Sequence, residues 1–199
     1  MKPYVITISR QFASMGRTIA QYMSKELGIE FMDRDIVAQT ARRMGLTLDA
    51  VSNHEESSTD GFFIRRHYLF NFNAYDLSDE IFEVQKNIII DFAEKGPCII
   101  VGRCADWILK DRENVLSVYI YAPFRARLHN CTHSLMMEEK IAMGAIKHVD
   151  EVRKAYRLRY CPDVNTDYDF RHLMIDSSRF GIEGTAALLC DAARHSLKM

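Results

Sequence analysis

Residues 4–27 read YVITISRQFASMGRTIAQYMSKEL, from Tyr4 to Leu27. Tyr4, Val5, Ile6 and Ile8 make an apolar run, as in a strand buried on both faces. Ser9 to Met15 is a polar, small-residue stretch. From Gly16 the spacing changes: Ile19, Met23 and Leu27 recur every four residues, which places them on one helix face. Strand, loop and helix start together form a phosphate cradle, because loop N–H groups and the helix dipole point at the same anion. Set against the loop pattern G-x-x-x-x-G-K-[ST], Gln11 to Thr18 reads Gln-Phe-Ala-Ser-Met-Gly-Arg-Thr. Gly16 and Thr18 match, Gln11 replaces the first glycine and Arg17 replaces the lysine. Arg17 keeps the positive charge and adds a fork suited to phosphate oxygens. Gln11 lacks glycine's freedom at positive φ. The same stretch also serves as an ordinary first strand and helix with no ligand.

The chain of 199 residues fits one domain, with room for an inserted subdomain. A hydrophobic content of 48% supplies a core, and a net charge of −1 gives no global field to draw nucleic acid or membrane. Cys98, Cys104, Cys131, Cys161 and Cys190 are odd in number and form no C-x-x-C pair, which suits reduced thiols in a cytoplasm. The chain enters a strand at once, which leaves no room for a signal peptide. No uncharged apolar stretch approaches the roughly 20 residues of a membrane span.

Beyond the first helix, Gly28 is a stop signal and Ile29 to Met32 a short second strand. Asp35 suits the N-cap of a helix reaching Met44. Asp33 and Arg34 lie where a strand ends, to grip a magnesium-bound water, a hydroxyl or a phosphate, or to form only a solvated turn. Gly61 to Tyr75 gathers aromatic side chains around Arg65 and Arg66: a base-stacking wall, a subdomain core or a dimer contact. Asp79 to Lys95 reads as a helix capped by Ser78. Cys98 to Val101 is a third strand, and Gly102-Arg103 at its end sets a guanidinium beside the ligand crevice. A short helix from Asp106 leads to a fourth strand, Val115 to Tyr121. Phe124 to Tyr160 is helical but not one straight helix. His129 and His133 share a face there, as surface residues or half of a metal site. Arg153 and Arg157 share a face further on, to close onto polyphosphate or to stay solvated. His172 to Ile175 is the fifth strand and Gly181 to Leu197 the closing helix. This order implies a three-layer α/β sandwich on a parallel sheet.

The segments ITISRQFASMGRTIAQYMSKELG, FMDRDIV, IIVGRCADWIL, VYIYAPFRARL, DEVRKAYRLRY and MIDSSRFGIEG resemble the cytidylate-kinase-like family of P-loop nucleoside monophosphate kinases, in its branch with arginine in the loop. The resemblance implies an α/β/α P-loop kinase fold with a five-stranded parallel sheet. It implies a single domain over 1–199, with a helical acceptor-binding insert at 46–95 and a helical lid at 124–162. It implies ATP and Mg²⁺, with Ser14, Met15, Gly16, Arg17 and Thr18 around the donor phosphates. Asp33, Arg34 and Arg103 would face the acceptor, Thr18 and Asp33 the metal. Arg17, Arg103, Arg153 and Arg157 would supply catalytic charge, with Arg159 as a further lid residue. Cytidylate kinases carry lysine at the position of Arg17 and aspartate at that of Val101, so Asp33 or Asp106 is left to supply the carboxylate.

The leading expectation is therefore a cytoplasmic kinase moving the ATP γ-phosphate to a nucleoside monophosphate, CMP or dCMP by resemblance. A kinase of another small hydroxyl substrate and a catalytically silent nucleotide-binding protein are the alternatives. Nucleic acid and membrane are not expected as partners, and a homodimer is left open. In the absence of nucleotide, the arginines of Asp150 to Tyr160 are expected to repel one another and stay solvated.

Overall fold

The computed structural model describes residues 3–57 and 74–198. In order, the elements are β1 (Val5–Arg10), α1 (Gly16–Leu27), β2 (Glu30–Met32), α2 (Arg34–Met44), α3 (Leu48–Ser57) and α4 (Ala74–Lys95). Then come β3 (Cys98–Val101), α5 (Ala105–Ile108), β4 (Val115–Tyr121), α6 (Phe124–His129), α7 (Glu139–Tyr160), β5 (Leu173–Asp176) and α8 (Ser177–Leu197). The aromatic stretch 61–73 lies outside the described residues.

The five strands are all parallel, in the order β2-β3-β1-β4-β5. Val5 is level with Cys98 on one side and Val115 on the other, so β1 is the central strand. Parallel strands need crossover helices on both faces, and their side chains are buried on both. On one face Ile6, Ile8, Ile99, Val118 and Ile120 pack under Ile19 and Met23 of α1 and Leu189 and Ala193 of α8. On the other, Val5, Cys98, Ile100 and Val115 meet Ile36 of α2, Ile88, Ile89 and Phe92 of α4, and Leu109. Thr7 and Ser117, level in the register, satisfy each other here: Thr7 Oγ1 donates to Ser117 Oγ at 3.0 Å. The C-terminal turn of α7 joins this layer, with Tyr160 stacked on Phe82 at 4.1 Å between ring centroids. This is the P-loop kinase fold, three layers around a five-stranded parallel sheet.

Several boundaries differ from expectation for local reasons. Gly28 and Gly45 end α1 and α2 where expected, in the left-handed region at φ 66 each. Asp33, not Asp35, occupies the N-cap of α2, and its side chain does not cap the helix because it is drawn to two arginines described below. The α4 helix begins before Ser78, whose carbonyl accepts the Tyr160 hydroxyl at 3.1 Å. The stretch after β4 breaks as expected: α6 passes through a π-helical turn at Asn130–Ser134, and a separate α7 follows. The α8 helix starts at Ser177, capped by Asp176 through Ser178 N at 2.9 Å, and is interrupted at Gly181 with φ 69. Among the described residues no helix is long and apolar enough to cross a membrane.

All five cysteines are buried and unbridged. Burial, with Glu30 nearby, pushes the Cys98 thiol up to about 12; burial, with Glu26, does the same for Cys190. Unfolding returns both to the ordinary value of 9.0. Their raised folded pKa therefore leaves stability intact below pH ~9 and lowers it as pH rises toward ~12. Urea midpoints should fall above pH ~9, and a Cys98→Ala/Cys190→Ala variant should lose part of that slope. An identical slope in both proteins would refute the assignment.

Candidate active site

Parallel strands deliver all their C-terminal ends to one edge, and ligands of open α/β sheets sit there. The loop after β1 is fastened by its own polar groups. Gln11 N donates to Ile120 O at 3.0 Å, and Gln11 Oε1 accepts from Ala122 N at 3.1 Å. Gln11 therefore needs no left-handed backbone; its amide ties β1 to the end of β4. The Ser14 hydroxyl turns inward, donating to Gln11 O and Ile120 O, and Ser177 Oγ donates to Ser14 O at 2.8 Å. The left-handed positions fall instead on Ala13 and Met15, at φ 57 and 60. Non-glycine residues there cost roughly 1–2 kcal/mol each. From the far side Asn130 Nδ2 donates to Ala13 O at 2.9 Å and Phe12 N donates to Asp150 Oδ1 at 2.7 Å. Asp150 Oδ2 accepts Arg127, which also donates to Phe12 O.

A second group of charges gathers on Asp33 at the end of β2. Arg17 Nε lies 2.7 Å from Asp33 Oδ2, and Arg103 Nη1 lies 3.5 Å from Asp33 Oδ1. Arg103 stands in an unusual turn: Gly102, Arg103 and Cys104 all have positive φ, at 80, 51 and 55. Such strain is held only where surrounding structure over-determines it, and it collects at functional sites.

The third group belongs to α7. Arg157 Nη1 donates to Asp106 Oδ2 at 2.7 Å and its Nη2 to Asp169 O at 2.9 Å. Asp106 is buried; Ser9 Oγ donates to the same oxygen at 3.4 Å, and among the described residues Asp106 Oδ1 has no partner. Asp169 is held by Asn165 N and Thr166 N, and these hydrogen bonds lower its pKa. Arg153 Nη1 donates to Arg10 O at 3.0 Å. Burial lowers the Arg153 pKa, and the Asp150 charge opposes that shift. Where mutually repelling, solvated arginines were expected, the structure has Arg153 and Arg157 turned inward, because Asp106 and two backbone carbonyls receive them. Arg159 points elsewhere, to Asp79 Oδ1 at 2.7 Å.

Between these groups lies a cavity of about 450 Å³. The ends of β1 and β3, Tyr119, α7 and the loop before β5 wall it, with six basic and two acidic side chains. Arg103, Arg153 and Arg157 line it; Arg17 and Asp33 adjoin it through Arg103. Thr18 is half-buried in the first turn of α1, and Arg34 is exposed on α2 and lines no part of the cavity. Sequence reasoning passed over Arg10 and Arg171, both in the wall. Arg10 ends a strand just before the loop, the argument already applied to Arg103. Arg171 carries no such signal; its guanidinium lies 3.8 Å from the Tyr119 ring centroid. His129 and His133 stack at 4.0 Å, and among the described residues no three His, Cys, Asp or Glu side chains converge on a metal position.

A profile described as the cytidylate kinase-like family matches residues 5–179. A cytidylate kinase of Pyrococcus horikoshii is 24% identical over 194 residues, covering 96% of this chain and 88% of that protein. One of Methanococcus aeolicus is 24% identical over 206 residues, covering 98% and 99%. An uncharacterized protein of Eubacterium ventriosum superimposes with a TM-score of 0.72 at 21% identity, covering 96% and 98%. Shikimate kinase of Acinetobacter baumannii, solved with shikimate, gives 0.52 at 14%, covering 96% and 92%.

The Asp106–Arg157 pair tests how α7 is held. Removing one partner of a buried pair strands the other, so Asp106→Ala should cost about 3 kcal/mol in urea unfolding. Arg157→Met added to it should recover over half of that loss, about 1.5 kcal/mol or more. A cost below about 1 kcal/mol for Asp106→Ala would show that the pair does not secure the helix.

Proposed function

The chain belongs to the cytidylate kinase-like family, and on that premise we propose that it transfers the γ-phosphate of ATP to a nucleoside monophosphate, with CMP or dCMP as acceptor. The observation that carries this reading is the convergence of Arg103, Arg153 and Arg157 on one cavity at the C-terminal edge of the sheet. Phosphoryl transfer asks for positioning and positive charge more than for a strong base. An acceptor phosphate oxygen attacks the γ-phosphorus. The bond from that phosphorus to the β–γ bridging oxygen breaks, and its electron pair stays on the β-phosphate. No proton is taken up and no net charge is created.

In this proposal Ser14 and Met15 shape the donor loop, Gly16 and Thr18 receive the donor phosphates at the start of α1, and Arg17, bound to Asp33, turns toward the acceptor side. Arg103 faces the acceptor phosphate, with Asp33 orienting it, and Arg34, exposed on α2 beside Asp33, is assigned to the acceptor from outside the cavity wall. Arg153 and Arg157 bring charge from above, Arg157 held at the required height by Asp106. The oxygen donors of Thr18 and Asp33 suit a hard cation such as Mg²⁺, which keeps most of its ligands as water and phosphate. When bound, that ion neutralises phosphate charge. Residues 46–95 are assigned to the acceptor and 124–162 to the lid, and the five unbridged thiols fit action in a cytoplasm.

A second reading rests on Asp150. Its carboxylate takes the Phe12 N–H, a group that an anion-binding loop otherwise offers to ligand. That favours a protein that holds nucleotide without transferring phosphate.

Transfer from radiolabelled ATP to a panel of nucleoside monophosphates and small hydroxy acids decides between them. Label on CMP or dCMP supports the proposal. Label on a hydroxy acid alone replaces the acceptor, and nucleotide binding with no labelled product supports the silent reading. Within an active protein, Arg103→Ala should raise acceptor KM by about tenfold or more with little change for ATP, since a charge-assisted contact is lost on one substrate only. Equal losses for both substrates would overturn the acceptor assignment. Hydrogen exchange across 150–169 should slow when ATP and acceptor are both bound. Exchange that ignores both ligands would make α7 a fixed wall.

A further inference from the structure

Arg10 ends β1, and the loop pattern assigns it no part. Its backbone is tied to α7 through the Arg153 contact. Its side chain crosses the sheet edge between two loops. A Cβ placed on Gly16 would lie 2.9 Å from Arg10 Cβ, and one on Gly102 would lie 2.2 Å from Arg10 Nη1. Both distances are too short for real atoms, so two glycines from different loops leave the space this side chain fills. The guanidinium therefore reaches Gly102 and forms part of the cavity wall, as do Arg103 and Arg153. Arg17 goes another way: it is bound to Asp33, its side chain is 44% exposed, and it is absent from that wall.

We infer that Arg10 is the guanidinium that meets the phosphate chain of the donor at the point of transfer, and that Arg17 serves the acceptor side through Asp33. The inference rests on the kinase reading given above. As the bond to the γ-phosphorus breaks, negative charge grows on the β-phosphate, and a planar fork of N–H donors on the cavity floor can follow it with two hydrogen bonds. Lysine in the standard loop pattern does this from the first turn of the helix; here the cation comes from the strand below. Gly102 is then fixed as glycine by the room that Arg10 needs as well as by its own φ of 80.

The test uses the full chain, inorganic tripolyphosphate and ATP as probes in calorimetry, and the transfer assay with its best acceptor. Arg10→Gln should weaken tripolyphosphate by about tenfold and lower kcat by about a hundredfold or more. Arg10→Lys should restore tripolyphosphate affinity to within about threefold while leaving most of the kcat loss, because a point charge replaces the fork. Arg17→Gln should leave tripolyphosphate affinity within about twofold and act on acceptor KM. Gly102→Ala pushes the guanidinium aside and should weaken tripolyphosphate, yet add no loss in an Arg10→Gln background. Thermal melts confirm folding, and Arg10→Gln and Arg10→Lys keep the test valid if Gly102→Ala does not fold.

Unchanged tripolyphosphate affinity in Arg10→Gln, or its loss in Arg17→Gln instead, overturns the inference and leaves the kinase reading intact. If the wild-type chain binds tripolyphosphate but labels no acceptor, the kinase reading falls, and the tripolyphosphate results still decide for or against Arg10. If it binds no tripolyphosphate, the inference about Arg10 falls, and the transfer assay alone decides the kinase reading.

Discussion

The central position of β1 is the constraint from which the rest of the molecule follows. It is paired on both sides, so its backbone is fully used and its ends cannot shift relative to β3 or β4. Ile6 and Ile8 fill one face of that strand and Val5 the other, and α1 and α8 on one side and α4 on the other have apolar surface to cover. With β1 fixed, the loop at Gln11, the Gly102 turn and the end of β4 must meet at a common edge. Gln11 N reaching Ile120 O and Gly102 N reaching Ile8 O are direct results of that register.

The fold was legible because burial on two faces writes itself into local sequence. VITI, CIIV and VLSVYIY are runs that only a covered parallel sheet requires. Helix ends were legible where glycine had to turn left-handed, as at Gly28 and Gly45. What the sequence concealed was the pairing of charges across long separations. Asp35 looked like the cap because Asp33 gave no sign that Arg17 and Arg103 would claim its side chain. Arg153 and Arg157 were legible as one helix face, but not as docked, since Asp106 and Arg10 O lie far away in the chain. Arg171 was silent altogether, because a loop position has no periodicity to betray which way it points.

Three carboxylates, Asp33, Asp106 and Asp150, each hold guanidinium groups around the same edge. Buried charges in this arrangement add little net stability, since desolvation offsets most of the attraction. Their effect is geometric. Each carboxylate fixes the direction of a long flexible cation, which lowers the ordering cost of any contact that cation makes. The positive φ of Gly102, Arg103 and Cys104 belongs to the same economy, a local strain that sets one side chain's direction.

Asp150 joins two bodies that move separately in the simplest picture of a closing enzyme. One oxygen holds the Phe12 N–H of the loop, the other holds Arg127, and both contacts begin on α7. One carboxylate therefore contributes both to the shape of the loop and to the seating of α7. A ligand that takes the Phe12 N–H in place of Asp150 removes one of the bonds that join α7 to the loop, the Arg153–Arg10 O bond being another. The shape of the nucleotide-facing loop thus depends on Arg127 of α6 and Asn130 of the π-helical turn, two residues outside the loop itself.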